Sequence, residues 1–233
     1  MWGRTPHIRR LTFRPKRRPP LKAPKGVAVS YYAPAVPRPP AAAVLLGATG
    51  SANAMSPALD ALSLKFVIWA QEAGATVLDI GCGDGIATLA LLARGGHVVA
   101  VDPDATALHR LVERTTSEQC HRLQVRLGQL PTVDFKAANF RAIHAARVLH
   151  LLARESVGQS LRKFYRWLYP EGRLFISALH PLDETTLRRE VGAAGFLVEE
   201  SSTYPLPWES SQECAGLIAR CPSQGPVADG SNS

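Results

Sequence analysis

Between Val77 and Thr88 the chain reads Val-Leu-Asp-Ile-Gly-Cys-Gly-Asp-Gly-Ile-Ala-Thr, and no other stretch limits its fold as much. Val77, Leu78 and Ile80 supply a short buried strand. Gly81, Gly83 and Gly85 fall at every second position, which lets the backbone turn sharply and lets a ligand approach it closely. The spacing then predicts a helix from Ile86 to Arg94, stopped by Gly95-Gly96, whose N-terminal dipole faces the turn. Dinucleotide-binding chains also use a glycine turn, with the spacing G-x-G-x-x-G. Here the alternating spacing and Asp79, two residues ahead of the first glycine, set the stretch apart. A second apolar strand, residues 97–102, ends in Asp102, about twenty residues past the glycines. A carboxylate there can accept both ribose hydroxyls of a nucleoside. Asp104 is better placed than Asp102 to cap the next helix, so Asp102 is assigned to ligand binding.

The run from Val77 to Gly85 resembles motif I of the class I S-adenosylmethionine (SAM) methyltransferases, close to V-L-D-x-G-C-G-x-G. The resemblance implies that Gly81, Cys82 and Gly83 lie against the methionine part of SAM, while Asp79 helps fix its amino-acid end. It implies that Asp102 and its neighbour Pro103 hold the ribose, and that Ala146, at the end of a fourth strand, borders the pocket. After a third strand, residues 123–127, the family often carries an acid that accepts from the adenine amino group. Gln129 and Leu130 stand there instead, and Gln129 can offer its side-chain carbonyl. Arg141, early in strand four, is a further departure from a common acid. Leu168 to Ser177 resembles the family's proline-glycine turn into strand five. The resemblance runs from about Ser56 to Cys221. It implies an α/β fold with a seven-stranded sheet in the order 3-2-1-4-5-7-6, strand seven alone antiparallel, and SAM bound without metal. Strands alternating with helices imply the parallel part independently.

Ser56-Pro57 reads as a helix cap and first turn, followed by Leu59, Leu62, Phe66 and Ala70 at helical spacing. Ser156 is expected to cap the helix carrying Val157, Leu161 and Phe164, and Asp183 to Ala194 forms another. Strand six starts at Phe196, and strand seven spans residues 214–220. In an open α/β sheet, ligands bind at the carboxyl ends of the strands. Residues 147–155, 178–182 and 203–213 are therefore expected to be loops framing the acceptor, with Arg147, Tyr204 and Trp208 as its contacts. Aromatic and proline residues on an exposed connection suit a flat or apolar molecule; they also suit a loop packed down on the sheet. His150 and His180 lie just past strand ends and are the candidates for a general base, with core packing as the other role for His150. No N-P-P-Y-type signature follows strand four, which argues against adenine or amide-nitrogen methylation.

Charge divides the chain. Residues 1–40 hold ten of the 27 Lys and Arg and none of the 19 Asp and Glu. The high pI belongs to that segment, and the remainder is close to neutral. With its many prolines the segment buries too little apolar surface to fold. Residues 1–55 are accordingly read as a basic Pro/Arg-rich extension, 56–221 as the SAM-binding domain and 222–233 as a disordered tail. The extension serves phosphate binding, targeting or solvation alone; Tyr31 and Tyr32 could reach the SAM pocket from it. No apolar run approaches a membrane span, no signal core is present, and the four cysteines lack disulfide or zinc spacing, so a cytoplasmic location fits best. Methyl transfer to an oxygen or nitrogen of a small molecule is the function expected. The alternative is an RNA-associated methyltransferase, or SAM-binding module, that uses the basic extension on nucleic acid.

Overall fold

The computed structural model describes residues 59–206 and 209–223. Its strands form one seven-stranded sheet in the order β3-β2-β1-β4-β5-β7-β6, the topology expected. They are β1 (Thr76–Ile80), β2 (His97–Asp102), β3 (Leu123–Leu127), β4 (Phe140–Ala146), β5 (Leu168–Ala178), β6 (Leu197–Leu206) and β7 (Glu209–Arg220). β7 runs antiparallel to both β5 and β6, while the other pairs are parallel. The carboxyl ends of β1, β2, β3, β4, β5 and β6 thus share one edge.

Side chains alternate across each strand, so the sheet splits the core into two layers. Val77, Val98, Ala142, Phe175 and Ile218 pack on one face against α1 (Ala61–Glu72), α2 (Ile86–Ala93) and α3 (Ala105–Glu113). Leu78, Ile143, Leu174 and Leu217 pack on the other. After the short α4 (Ser117–Cys120), that second layer is built by α5 (Arg154–Trp167) and α6 (Glu184–Ala193). Val77 and Leu78, adjacent in sequence, therefore anchor opposite layers and fix the register of β1.

Four sequence expectations are corrected. Helix α1 starts at Ala61, because Asp60, not Ser56, is the cap: its carboxylate accepts from the Ser63 N–H at 2.8 Å. Ser56 and Pro57 lie outside the described residues. Helix α5 starts at Arg154 behind Ala153 with no side-chain cap, and Ser156 sits inside its first turn. The proline-glycine turn is a bulge within β5 and not a turn ahead of it: pairing jumps from Phe140–Leu168 to Ala142–Arg173. Gly172 is required there, since a Cβ would lie 2.8 Å from the Tyr169 carbonyl oxygen. Residues 203–206 and 209–213 belong to strands and not to a loop. β6 continues to Leu206 and β7 begins at Glu209, with Tyr204 opposite Cys214 and Pro205 opposite Glu213. The hairpin satisfies backbone groups that a loop would leave to water, and Pro205 is tolerated because β6 is an edge strand.

Candidate active site

The glycine turn is stitched to the end of β2. Gly81 and Cys82 both donate from their backbone N–H to the Val101 carbonyl, at 2.8 and 3.1 Å. Gly83 donates to one oxygen of the Asp102 carboxylate at 2.8 Å, and Asp104 N–H donates to the other at 2.9 Å. Asp104 itself caps α3 by accepting from Thr106, which frees Asp102 from that duty as expected. Gly81, Gly83 and Gly85 all have positive φ, at +68, +51 and +82°. Two of them are also close-packed. A Cβ on Gly81 would sit 3.0 Å from Val148, and one on Gly85 2.2 Å from Leu111, whereas the space beside Gly83 is open.

Asp79 lies at the base of the turn and is 2% exposed. One carboxylate oxygen accepts from the Thr88 hydroxyl on α2 at 2.6 Å, and the other is bonded to His144 Nδ1 at 2.9 Å. Asp79 and His144 are register partners across β1 and β4, and His144 is in turn the partner of Phe175 on β5. The imidazole stacks on that ring with centroids 4.8 Å apart. Its Nε2 meets the Ser63 hydroxyl of α1 at 2.9 Å. His144, Ser63, Thr88 and Asp60 carry no signal in the sequence, because a histidine inside an apolar strand means nothing until the register places an acid beside it.

A single cleft brings together Asp79, Gly81, Cys82, Ala146 and Arg147 of the anticipated set, with Asp60, Ser63, Ile86, Ala87 and His144 added. Arg147 takes a left-handed backbone conformation, φ +54°, at the end of β4, and its N–H donates to Ser177. Tyr204 faces the same region from β6. Burial, followed by the Asp60 carboxylate, pushes its phenol pKa up, so it is a neutral donor. Its ring packs close over Gly216. Gln129 and Pro103 are exposed and Leu130 is buried beside the turn that follows β3. Trp208, Tyr31 and Tyr32 lie outside the described residues.

The two histidines proposed as bases differ. His150 sits in a 3-10 turn (Leu149–Leu151) after β4, half-buried. Its Nδ1 is buried and has no hydrogen-bond partner among the described residues. Burial, with the nearby Arg147 charge, lowers its pKa, so the ring is neutral near pH 7 and competent to accept a proton. His180 is exposed in the connection after β5, and neither of the two histidines is among the residues that line the cleft.

Cys82 belongs to the cleft, but burial and then the charges of Asp79 and Asp102 push its thiol pKa up. Burial does the same at Cys214 and Cys221. Cys120 alone among the cysteines is exposed. Alkylation at about pH 8, where only a thiolate reacts, should therefore modify one thiol per folded chain rapidly and the remaining ones only after denaturation. Mass spectrometry of the labelled peptides checks this. Rapid labelling of Cys82 would contradict its burial between two carboxylates.

Residues 77–172 match the sequence pattern of a methyltransferase domain. The chain is 31% identical over 135 residues to a cypemycin N-terminal methyltransferase from a Streptomyces species, covering 57% of this chain and 50% of that protein. It is 28% identical over 132 residues to a ribosomal protein L11 methyltransferase from Geobacillus thermodenitrificans, covering 54% and 39%. It thus spans half or less of the length of these curated relatives. A similar solved structure is the Burkholderia thailandensis 1,6-didemethyltoxoflavin-N1-methyltransferase with bound 1,6-didemethyltoxoflavin and S-adenosylhomocysteine. The TM-score is 0.57 at 24% identity, over 70% of this chain and 79% of that one.

Proposed function

Since the chain belongs to the class I SAM-dependent methyltransferase family, we propose that it binds SAM in the cleft beside the glycine turn and transfers its methyl group to an oxygen or nitrogen of a small molecule. The observation that carries this reading is the bond between Gly83 N–H and the Asp102 carboxylate. A carboxylate has about four acceptor positions, and Gly83 and Asp104 use two. Two are left for a pair of ribose hydroxyls, so the residue both shapes the turn and receives the nucleoside.

SAM supplies an already activated methyl group, so the protein's part is alignment and exclusion of water. Gly81 and Cys82, with the N-terminus of α2 at Ile86 and Ala87, are positioned for the amino-acid end. Asp79 supports that end from below, and Ala146 closes the β4 side. Gln129 and Leu130 are assigned to the adenine and Pro103 to the ribose flank. Arg147, Tyr204 and Trp208 are assigned to the acceptor. Between the two candidate bases, the orphaned buried nitrogen and lowered pKa favour His150 over the exposed His180.

If His150 is the base, activity falls as the ring protonates. Its acidic limb should lie below the ordinary histidine value of about 6.5, because the folded pKa is depressed. His150→Asn should lower turnover by roughly 10²-fold or more and abolish that limb. A limb that persists unchanged in the variant would remove His150 from the chemistry.

The relatives differ in acceptor, and one carries a ribosomal protein in its name. Ten basic residues before position 41 keep an RNA-associated function as the second reading. The near-neutral remainder of the chain favours the small molecule, since binding to phosphates needs a basic face near the site. Among the described residues no helix is long and apolar enough to cross a membrane. A cytoplasmic place, with four free thiols, completes the proposal. Incubating the chain and metabolite extracts with methyl-labelled SAM tests it. A labelled small-molecule product is expected, whereas label found only in RNA, or loss of RNA binding on deleting residues 1–40, would favour the second reading.

A further inference from the structure

Ser63, His144 and Asp79 are connected in series, hydroxyl to Nε2 at 2.9 Å and Nδ1 to carboxylate at 2.9 Å. The connectivity is that of an activated serine nucleophile, but the surroundings are not. The three residues are 1, 3 and 2% exposed, so no substrate reaches the hydroxyl. Ser63 lies inside a helix, and its own N–H is taken by Asp60. Nothing in this arrangement offers a pair of N–H groups to a tetrahedral oxyanion.

A chain of buried polar groups is costly where apolar side chains of similar volume would pack as well. Every member here is nonetheless satisfied. With the proton on Nδ1, His144 donates to Asp79 and accepts from Ser63, and Asp79 also accepts from Thr88. The rings of Phe175 and Phe66, with centroids 4.8 and 5.9 Å from the imidazole, fix its plane. These bonds join four elements that border the SAM cleft: β1 before the glycine turn, α2 after it, β4 through His144 itself and the first turn of α1 across from them.

We propose that His144 is a positioning residue, which locks the N-terminal turn of α1 to the motif I acid and so holds Asp60 and Ser63 over the methyl-donor cleft. The proposal rests on the donor-binding function given above. It deepens that reading by making α1 part of the donor site, coupled to the glycine turn through one imidazole. Donor affinity then depends on the Ser63 hydroxyl, which is a side chain remote from motif I in sequence.

The test uses the full chain and S-adenosylhomocysteine as the probe. Ser63→Ala should weaken its binding about tenfold by calorimetry, and Ser63→Thr, which keeps a hydroxyl, should restore most of the affinity. Ser160→Ala is the control. That serine is equally buried, but on α5 beyond the opposite face of the sheet, where its hydroxyl donates to the Ser156 carbonyl. It should lower the melting temperature and leave affinity within twofold. Hydrogen exchange gives a second measurement: the probe should increase protection of residues 61–72 in the unsubstituted chain, and Ser63→Ala should lose that gain while residues 81–85 keep theirs. Unchanged affinity in Ser63→Ala, or the same change in Ser160→Ala, overturns the positioning role and leaves the donor-binding reading intact. Failure of the unsubstituted chain to bind the probe overturns both.

Discussion

Gly85→Val should cost the domain about 3–4 kcal/mol of folding stability. Gly85 ends the glycine turn at φ +82°, as the residue ahead of α2. Left-handed backbone costs an ordinary side chain roughly 1–2 kcal/mol, and a β-branched one more. The second contribution is steric: the added Cβ would meet Leu111 at 2.2 Å. Leu111 is fully buried between the helices and β2, so its methyl cannot simply rotate away. Overpacking of this kind costs about 1–3 kcal/mol. At roughly 2–4 °C per kcal/mol for a chain of this size, the melting temperature should fall by about 6–15 °C. Gly83→Ala makes the comparison internal. Its φ of +51° carries the backbone penalty, but open space surrounds its Cβ position, so about 1 kcal/mol is expected. Thermal unfolding of the two variants should separate them clearly. Equal melting points would mean that the turn relaxes and that Leu111 does not set its shape.

Asp102→Ala should weaken SAM binding by about 1.5–3 kcal/mol, roughly 10- to 150-fold in dissociation constant. Two losses combine. The ribose would lose a charged acceptor, and Gly83 N–H would lose the partner that holds the turn in shape. Asp102→Asn should fare little better, because an amide places a donor against one of two N–H groups that both need an acceptor. The fold should survive, since the Gly81 and Cys82 N–H groups keep their bonds to Val101. Calorimetry alongside thermal unfolding distinguishes the outcomes. Lower stability with an unchanged dissociation constant would make Asp102 a brace for the turn and not a ligand contact.

The motif and the sheet were legible because they rest on local rules. Alternating glycines demand positive φ, and all three have it. The apolar runs of β1 and β2 are buried on both faces, as parallel strands between two helical layers must be. Asp104 announced itself as the cap of α3 by its position alone. What failed depended on distant partners. The stretch with Tyr204 and Pro205 has turn-like composition, but β7 supplies an antiparallel partner on which an edge strand forms. That moved Tyr204 from a hanging loop to a strand packed over Gly216 and beside Asp60. His144 was invisible for a similar reason. Its meaning comes from register, which sets Asp79 on one side and Phe175 on the other, and from Ser63 on a helix 81 positions away. The region proposed for the acceptor was least legible, since the residues assigned to it come from separate stretches with no shared motif.

Titrating S-adenosylhomocysteine into the purified full chain, with a chelator present, is the most direct measurement. Saturable binding at one site is expected, with a dissociation constant well below about 1 mM. The chelator should make no difference, because the contacts proposed for the donor come from the glycine turn, Asp102 and the α2 N-terminus, with no metal among them. No binding at millimolar ligand by a chain that melts cooperatively would contradict the assignment of this cleft to the methyl donor, and the proposed methyl transfer with it.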